Sequence, residues 1–273
     1  MTTPRTEFSL GRYYLAGMRI GLLRELQYRV RTTLMILGFL IEPIIYLAVW
    51  TSVAEAQGGE IAGLTTGTLA AYYIVWTLVR VYNLGFAPDA WEWRIREGRM
   101  NDFLSQPIHP FHRDFTFFAG GKFVYTLVWI PVAAFLILIF EPTIEWAVIN
   151  VIGFVIALWG GFAVRFLVLY LLGMINFWTT RGAAIFGIFV ASELLLSGRL
   201  VPLELMPQWV ADIAAWLPFK WTFQFPIDTL IGRLEPAQVV AGIGAQALWT
   251  LGIGLAFAAV WKRAIRRYGA VGN

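Results

Sequence analysis

The stretch WAVINVIGFVIALWGGFAVRFLVLYLLGMI, residues Trp146–Ile175, decides the fold. It contains no proline and a single charged side chain, Arg165. A helix rises about 1.5 Å per residue, so about 20 apolar residues cross a hydrocarbon core about 30 Å thick. This segment exceeds that length and reads as a membrane-spanning helix. Four more segments qualify on the same grounds: Thr33–Val53, Thr65–Phe86, Thr116–Phe140 and Gln238–Trp261. A shorter sixth is Ala183–Gly198. The expected fold class is an all-α membrane protein with six transmembrane helices.

Composition agrees. Of 273 residues, 59% are hydrophobic and 14% charged, against roughly 45–50% and about 25% in soluble domains. That leaves too little polar surface to cover a water-facing globule, so lipid is the solvent for much of the chain. The 13 Trp suit anchoring at membrane–water interfaces. Cysteine is absent, which excludes a disulfide framework and a thiolate metal site.

Lys and Arg set the orientation. The N-terminal segment carries Arg5, Arg12, Arg19, Arg24, Arg29 and Arg31; the loop after the second span carries Arg94, Arg96, Arg99 and Arg113. Arg181 follows the fourth span, and Lys262, Arg263, Arg266 and Arg267 follow the last. The loops after the first and third spans hold Glu55, Glu60, Glu141 and Glu145 and no basic residue. Both termini are therefore expected in the cytoplasm, a parity that six spans satisfy. The net charge of +4 is a topology signal rather than a nucleic-acid footprint. Ala54-Glu55-Ala56 after the first apolar run superficially resembles a signal cleavage site, but about thirty residues precede a run of about twenty, longer than a signal core. The run reads as an uncleaved first span.

The organisation expected is a cytoplasmic interfacial helix in residues 1–32, one transmembrane domain in 33–261 and a cytoplasmic tail in 262–273. Phe8–Val30 lacks proline and spaces Arg5, Arg12 and Arg19 seven apart, as for a helix lying on the membrane surface. Over Leu203–Leu217, the residues Leu205, Met206, Trp209, Val210, Ile213, Trp216 and Leu217 share one helical face, opposite Glu204, Gln208, Asp212 and two alanines. That pattern predicts an amphipathic helix on the outer leaflet. Phe219–Gly232 is too interrupted by proline to span.

Catalytic signatures are lacking. Ala119-Gly120-Gly121-Lys122 lacks the first glycine and the hydroxyl residue of a phosphate-binding loop, and it begins a span. His109 and His112 lack a third metal ligand, and Pro110 between them breaks helix geometry. No serine sits in a nucleophile-elbow pattern. The stronger leads are charges at membrane depth, which are costly in lipid and face a protein interior or water. Glu42 lies midway along the first span beside Pro43, and Glu193 lies deep in the fifth. Arg165 is a third candidate; like Arg80 it lies towards a cytoplasmic span end, where snorkelling to the interface is the plainer reading.

The loop Pro88–Asp114 is the most informative polar segment. Trp91, Trp93, Arg94, Arg96, Glu97, Arg99 and Asp102 lie on a short charged helix and its continuation. A solvated turn has no need of two exposed tryptophans, whereas aromatics interleaved with arginine suit protein docking.

Here the sequence resembles a known family. Arg96-Glu97-Gly98-Arg99-Met100 through Leu104-Ser105-Gln106-Pro107-Ile108-His109-Pro110 is similar to the corresponding loop of bacterial ABC-transporter permeases. These are membrane-only, six-span subunits of the type-2 exporter class, in a branch of uncharacterised transport system permeases. Ser197-Gly198-Arg199-Leu200-Val201-Pro202-Leu203, Leu217-Pro218-Phe219-Lys220, Phe225-Pro226 and Leu230-Ile231-Gly232-Arg233 extend the likeness over nearly the whole chain.

The resemblance implies a non-catalytic permease in a bacterial inner membrane, with a re-entrant outer hairpin before the last span. Two copies of a separate ABC ATPase would bind ATP and magnesium, and the Trp91–Leu104 loop would act as their coupling helix. A second permease chain would complete the pathway, with a related distinct chain favoured over a second copy. A lipid-like, glycan or drug-like cargo would be exported. The rival readings are a secondary transporter working through Glu42 or Glu193, an intramembrane enzyme and a purely structural membrane scaffold; inverted repeats and a clustered acid–base or metal set are not evident, and co-purification with an ATPase separates the permease from all three.

Overall fold

The computed structural model describes residues 9–145, 147–179 and 182–271. Arg5, Phe8, Trp146 and Arg181, used in the sequence reading, lie outside the described residues. The described chain is mostly helical, with one two-residue-per-strand hairpin pairing Glu60 with Thr65 and Ile61 with Leu64. The helices are α1 (Leu10–Gln27), α2 (Arg29–Gly38), α3 (Ile41–Ala56), α4 (Thr66–Tyr82), α5 (Asp89–Arg96), α6 (Met100–Leu104) and α7 (Pro110–Phe140). There follow α8 (Val148–Gly173), α9 (Gly182–Leu196), α10 (Gln208–Ala215), α11 (Phe219–Thr222), α12 (Gln224–Leu230) and α13 (Pro236–Val271).

Among the described residues, four helical stretches are long and apolar enough to cross a membrane: Arg29–Ala56, Pro110–Phe140, Val148–Phe177 and Pro236–Tyr268. The first joins α2 and α3 across a turn at Phe39–Leu40, one helical turn before Pro43, which has no N–H to offer the Phe39 carbonyl. The other two expected spans are shorter helices. The expected Thr65–Phe86 becomes α4, 17 residues closed at Asn83, and the expected Ala183–Gly198 becomes α9, 15 residues long. Beyond α9 the chain turns at Gly198, where φ is +79° and a side chain would meet the Tyr72 hydroxyl and Gln224.

Burial separates inner from outer helices. From Leu69 to Tyr82, every residue of α4 except Arg80 is buried, as expected of a helix that is apolar on all faces and enclosed by neighbours. By contrast, only 22% of the apolar window of α7 and 11% of that of α13 is buried. Leu138, Leu248 and Leu255 stand out in the open at 80%, 72% and 64% exposure. So much contiguous apolar surface is unsustainable in water and ordinary in a bilayer.

The N-terminal helix α1 packs lengthwise and parallel onto the first half of α7. The Tyr14 hydroxyl meets His112 Nδ1 at 2.7 Å, Arg24 lies over the Phe117 ring, and Gly120 touches the backbone at Met18 and Leu22. The last helix runs past Trp261 to Val271, so Lys262, Arg263, Arg266 and Arg267 ride on its final turns.

Between α9 and α13 the chain folds back among α4, α8 and α13. Asn83 Nδ2 donates to the Thr222 carbonyl at 2.7 Å, and Gln246 Nε2 donates to the carbonyls of Trp221 and Ala157, each at 2.8 Å. The expected amphipathic helix over Leu203–Leu217 is broken into a 3-10 turn, Leu203–Leu205, and the short α10. Its buried stripe is Val210 and Ala214, while Trp209, Ile213 and Trp216 point outward at 65%, 46% and 84% exposure. The expected apolar face is therefore divided: the small residues pack inward and the large aromatics are left for the surroundings.

Candidate functional site

Two arrangements gather the residues singled out in the sequence: a platform built on α5 and α6, and a charge network inside the helix bundle.

The platform is held by its buried residues. Trp91, fully buried, packs against Phe86, Tyr170, Phe177 and Trp261 at ring distances of 6.1, 5.1, 5.5 and 5.9 Å. One turn later Arg94 forms a bidentate pair with Asp114 of α7, at 2.6 and 2.8 Å. The Tyr170 hydroxyl of α8 donates to the same carboxylate at 3.0 Å. The Arg94 guanidinium lies 4.0 Å from the centroid of the buried Phe103 ring of α6. A planar guanidinium that chelates a carboxylate and stacks on a ring leaves little freedom to the helix that carries it.

The expected group of seven therefore divides. Trp91 and Arg94 are anchors rather than exposed docking residues, because i, i+3 spacing turns both inward. Trp93, at 54% exposure, and Arg96, Glu97, Arg99 and Asp102 face outward. Arg96 pairs with Glu92 one turn back at 2.7 Å, and Arg99 approaches Asp102 at 3.8 Å. Such exposed pairs contribute little to folding, so their charges stay available to a partner.

His109 and Pro110, read in the sequence as lacking a metal-site geometry, begin a helix. Pro110 starts α7 at its first position, where a missing N–H costs nothing, and His109 caps it, Nδ1 accepting from the Phe111 N–H at 3.1 Å. The His109 ring packs 4.2 Å from Trp261, and burial, aided by neighbouring His112, pushes its pKa down to about 4. No set of three His, Cys, Asp or Glu converges on a metal site among the described residues.

The second arrangement gathers the intramembrane charges. Arg165 of α8 grips Glu193 of α9 through Nε and Nη2 at 2.5 and 2.9 Å, and its Nη1 donates to the Asn83 carbonyl at 2.6 Å. Arg199 then reaches Glu193 at 3.8 Å and both Glu42 oxygens at 3.4 Å. Arg80 stands 4.0 Å from Glu42, with the Phe39 ring below its guanidinium. The Tyr46 hydroxyl also donates to Glu42, at 3.2 Å. The structure thus brings Glu42, Glu193 and Arg165 together. It also corrects the snorkelling reading: Arg165 is 8% exposed and the Arg80 side chain 15%, because each finds a carboxylate inside the bundle.

Arg199, seen in the sequence only as part of a motif, is the link. Its loop is hung from α4: the Tyr72 hydroxyl, Trp76 Nε1 and the Tyr73 hydroxyl donate to the carbonyls of Gly198, Arg199 and Leu200 at 2.7, 2.9 and 3.3 Å. The signal was present as Tyr72, Trp76 and Arg80, four apart on one helical face. Lys122 was also missed. It is fully buried, donates to the Leu84 carbonyl and sits over the Phe162 ring at 4.5 Å.

Bilayer-length helices with outward apolar faces, enclosing ion pairs and presenting an anchored polar platform, define a multi-pass membrane protein. The chain belongs to the ABC-2 family of transporter proteins, whose family model matches residues 40–272. It is a permease of that type, in a family whose members are typically non-catalytic membrane subunits associated with ABC ATPases. No curated protein matches it.

Proposed function

We propose that this chain is the membrane subunit of an ATP-driven transporter, powered by two copies of a separate ABC ATPase that bind ATP and magnesium. The observation that carries the reading is the platform inside the family match: Trp91 and Arg94 fix α5 to α7 and α8, while Trp93, Arg96, Glu97, Arg99 and Asp102 are turned outward. An element that is stiff on one side and charged on the other can pass a partner's movement into the spans.

In this reading α4 and α9 complete six spans, since a 17-residue helix covers about 25 Å and the Arg-rich segments then share one side. Both termini lie in the cytoplasm, α1 lies along the cytoplasmic half of α7 at the inner side of a bacterial inner membrane, and the segment between α9 and α13 re-enters from the outer face. A second permease, a related chain rather than a copy, completes the pathway. The cargo is exported, and it is lipid-like, glycan or drug-like.

The test is a mild-detergent pull-down of the tagged chain from its native host, read by mass spectrometry. A stoichiometric ATPase is expected, together with a second permease. Recovery of the chain alone, from membranes whose other complexes survive, would overturn the reading.

A further inference from the structure

The charge network does not balance. Among the described residues, Arg80, Arg165 and Arg199 face only the carboxylates of Glu42 and Glu193. An unmatched charge in a bilayer is expensive and calls for a counter-ion.

The geometry locates the deficit. Glu193, its side chain 1% exposed, is committed to Arg165 at 2.5 and 2.9 Å, the range of a charge-assisted bond. Glu42, its side chain 29% exposed, is shared by Arg199 and Arg80 at 3.4 and 4.0 Å, and neither holds it at full bonding distance. Nε of Arg80 and Nε of Arg199 are buried without a hydrogen-bond partner. Two guanidiniums, each with a buried Nε that lacks a partner, therefore flank one loosely held, partly exposed carboxylate. Ile41 and Ile45, on the same helix α3 as Glu42, are 63% and 54% exposed, an apolar surface beside that carboxylate.

We propose that Arg80 and Arg199 bind the anionic group of an amphiphilic cargo, a phosphate or carboxylate carried on an apolar tail. Glu42 is the internal counter-ion that the cargo's anion displaces. Guanidiniums offer a fork of donors matched to such oxyanions, and Ile41 and Ile45 give the tail a surface that a free anion cannot use. When the cargo leaves, Glu42 returns to the two arginines, so the empty site never holds them bare. The assignment names the cargo class of the permease and rests on that reading.

The experiment is calorimetric titration of the purified full chain in phosphatidylcholine nanodiscs with dioctanoyl phosphatidate. Dioctanoyl phosphatidylcholine and inorganic phosphate serve as separate arms. Saturable phosphatidate binding is expected, weakened about tenfold or more in Arg199→Gln, the scale of a charged hydrogen bond lost, and tightened about threefold in Glu42→Gln, where a competing anion is removed. Phosphatidylcholine should not bind, and inorganic phosphate should bind at least about tenfold more weakly. Equal binding of phosphatidylcholine, or indifference to both substitutions, overturns the proposal. Inorganic phosphate binding as tightly as phosphatidate overturns the amphiphile. Should Arg199→Gln lose its fold, Glu42→Gln decides alone, since that side chain is partly exposed and keeps its bond to Tyr46. The titration needs no ATPase, so its failure and a failed pull-down are separate results.

Discussion

Arg94 and Asp114, twenty residues apart, close a bidentate ion pair at 2.6 and 2.8 Å that ties the α5–α6 platform to α7. The pair is nearly buried, with side chains 10% and 8% exposed, and Tyr170 takes up a further site on the carboxylate. Breaking a buried pair from one side leaves the other charge uncompensated. Arg94→Ala is expected to cost about 3–5 kcal/mol of stability. Arg94→Lys should recover only part of it, since an ammonium cannot reproduce the fork or the stacking on Phe103. Denaturant unfolding in detergent, followed by near-ultraviolet dichroism of the Trp91 cluster, measures both.

The Arg165–Glu193 pair makes a parallel prediction for the bundle. Glu193→Gln leaves Arg165 with the Asn83 carbonyl and no direct carboxylate, and a loss of about 3–5 kcal/mol is expected. Replacing both with Met and Leu should be far less damaging, because two desolvation penalties disappear together. Thermal unfolding of the three proteins in one detergent separates the cases, and a double variant as unstable as the single one would mean that Arg199 and the Asn83 carbonyl depend on the pair.

How far the sequence reached depends on what each residue's neighbours are. The long apolar runs were legible because hydrocarbon thickness fixes helix length, and Trp146–Ile175 reappears, from Val148 onward, as α8 and its 3-10 extension to Phe177. The termini of α4 and α9 were not, since Asn83 and Gly198 end them through contacts with Thr222 and Tyr72, more than a hundred residues away. Glu42, Glu193 and Arg165 stood out individually because charge is rare in apolar runs. Their meeting through Arg199 did not, because that partner lies in the loop after α9 and carries no periodicity. On α5 the aromatics were visible, but which tryptophan faces inward depends on Tyr170 and Trp261, which no local pattern reports.

The α1–α7 seam tests the placement of the N-terminal helix. A side chain at Gly120 collides with the Met18 carbonyl and the Leu22 nitrogen, backbone atoms that cannot swing away. Gly120→Val is expected to release α1 from α7 while the remaining bundle holds. Limited proteolysis should then cut near Arg12, Arg19 and Arg24 several-fold faster than in the parent protein. Unchanged cleavage would mean that α1 is held elsewhere.

His109 gives a pH dependence whose sign follows from its burial. Its folded pKa lies near 4, below the ordinary 6.5. Between those values the unfolded chain binds more protons, so stability rises with pH across that interval and falls as the solution is acidified. The ring is half-buried, and solvent moderates the size of the effect. His109→Gln should flatten this part of the profile. Unfolding midpoints of both proteins at pH 7.5 and 5 provide the comparison: the midpoint of the parent should drop further than that of the variant.

The exposed half of the platform separates coupling from folding. Glu97 and Arg99 face solvent on either side of Gly98, and Arg99 has only a 3.8 Å approach to Asp102. Reversing both charges, Glu97→Arg with Arg99→Glu, should change stability by no more than about 0.5 kcal/mol, as for surface sites free of special contacts. If these residues dock the ATPase, the same double variant should lower transport-linked ATPase stimulation about tenfold or more, since docking surfaces lose affinity steeply when charges are inverted. The measurement is ATPase activity of the reconstituted complex beside an unfolding curve of the permease. Loss of stimulation with an unchanged curve assigns the residues to coupling. Full stimulation removes them from it and moves the contact to Trp93 or to surfaces outside α5 and α6.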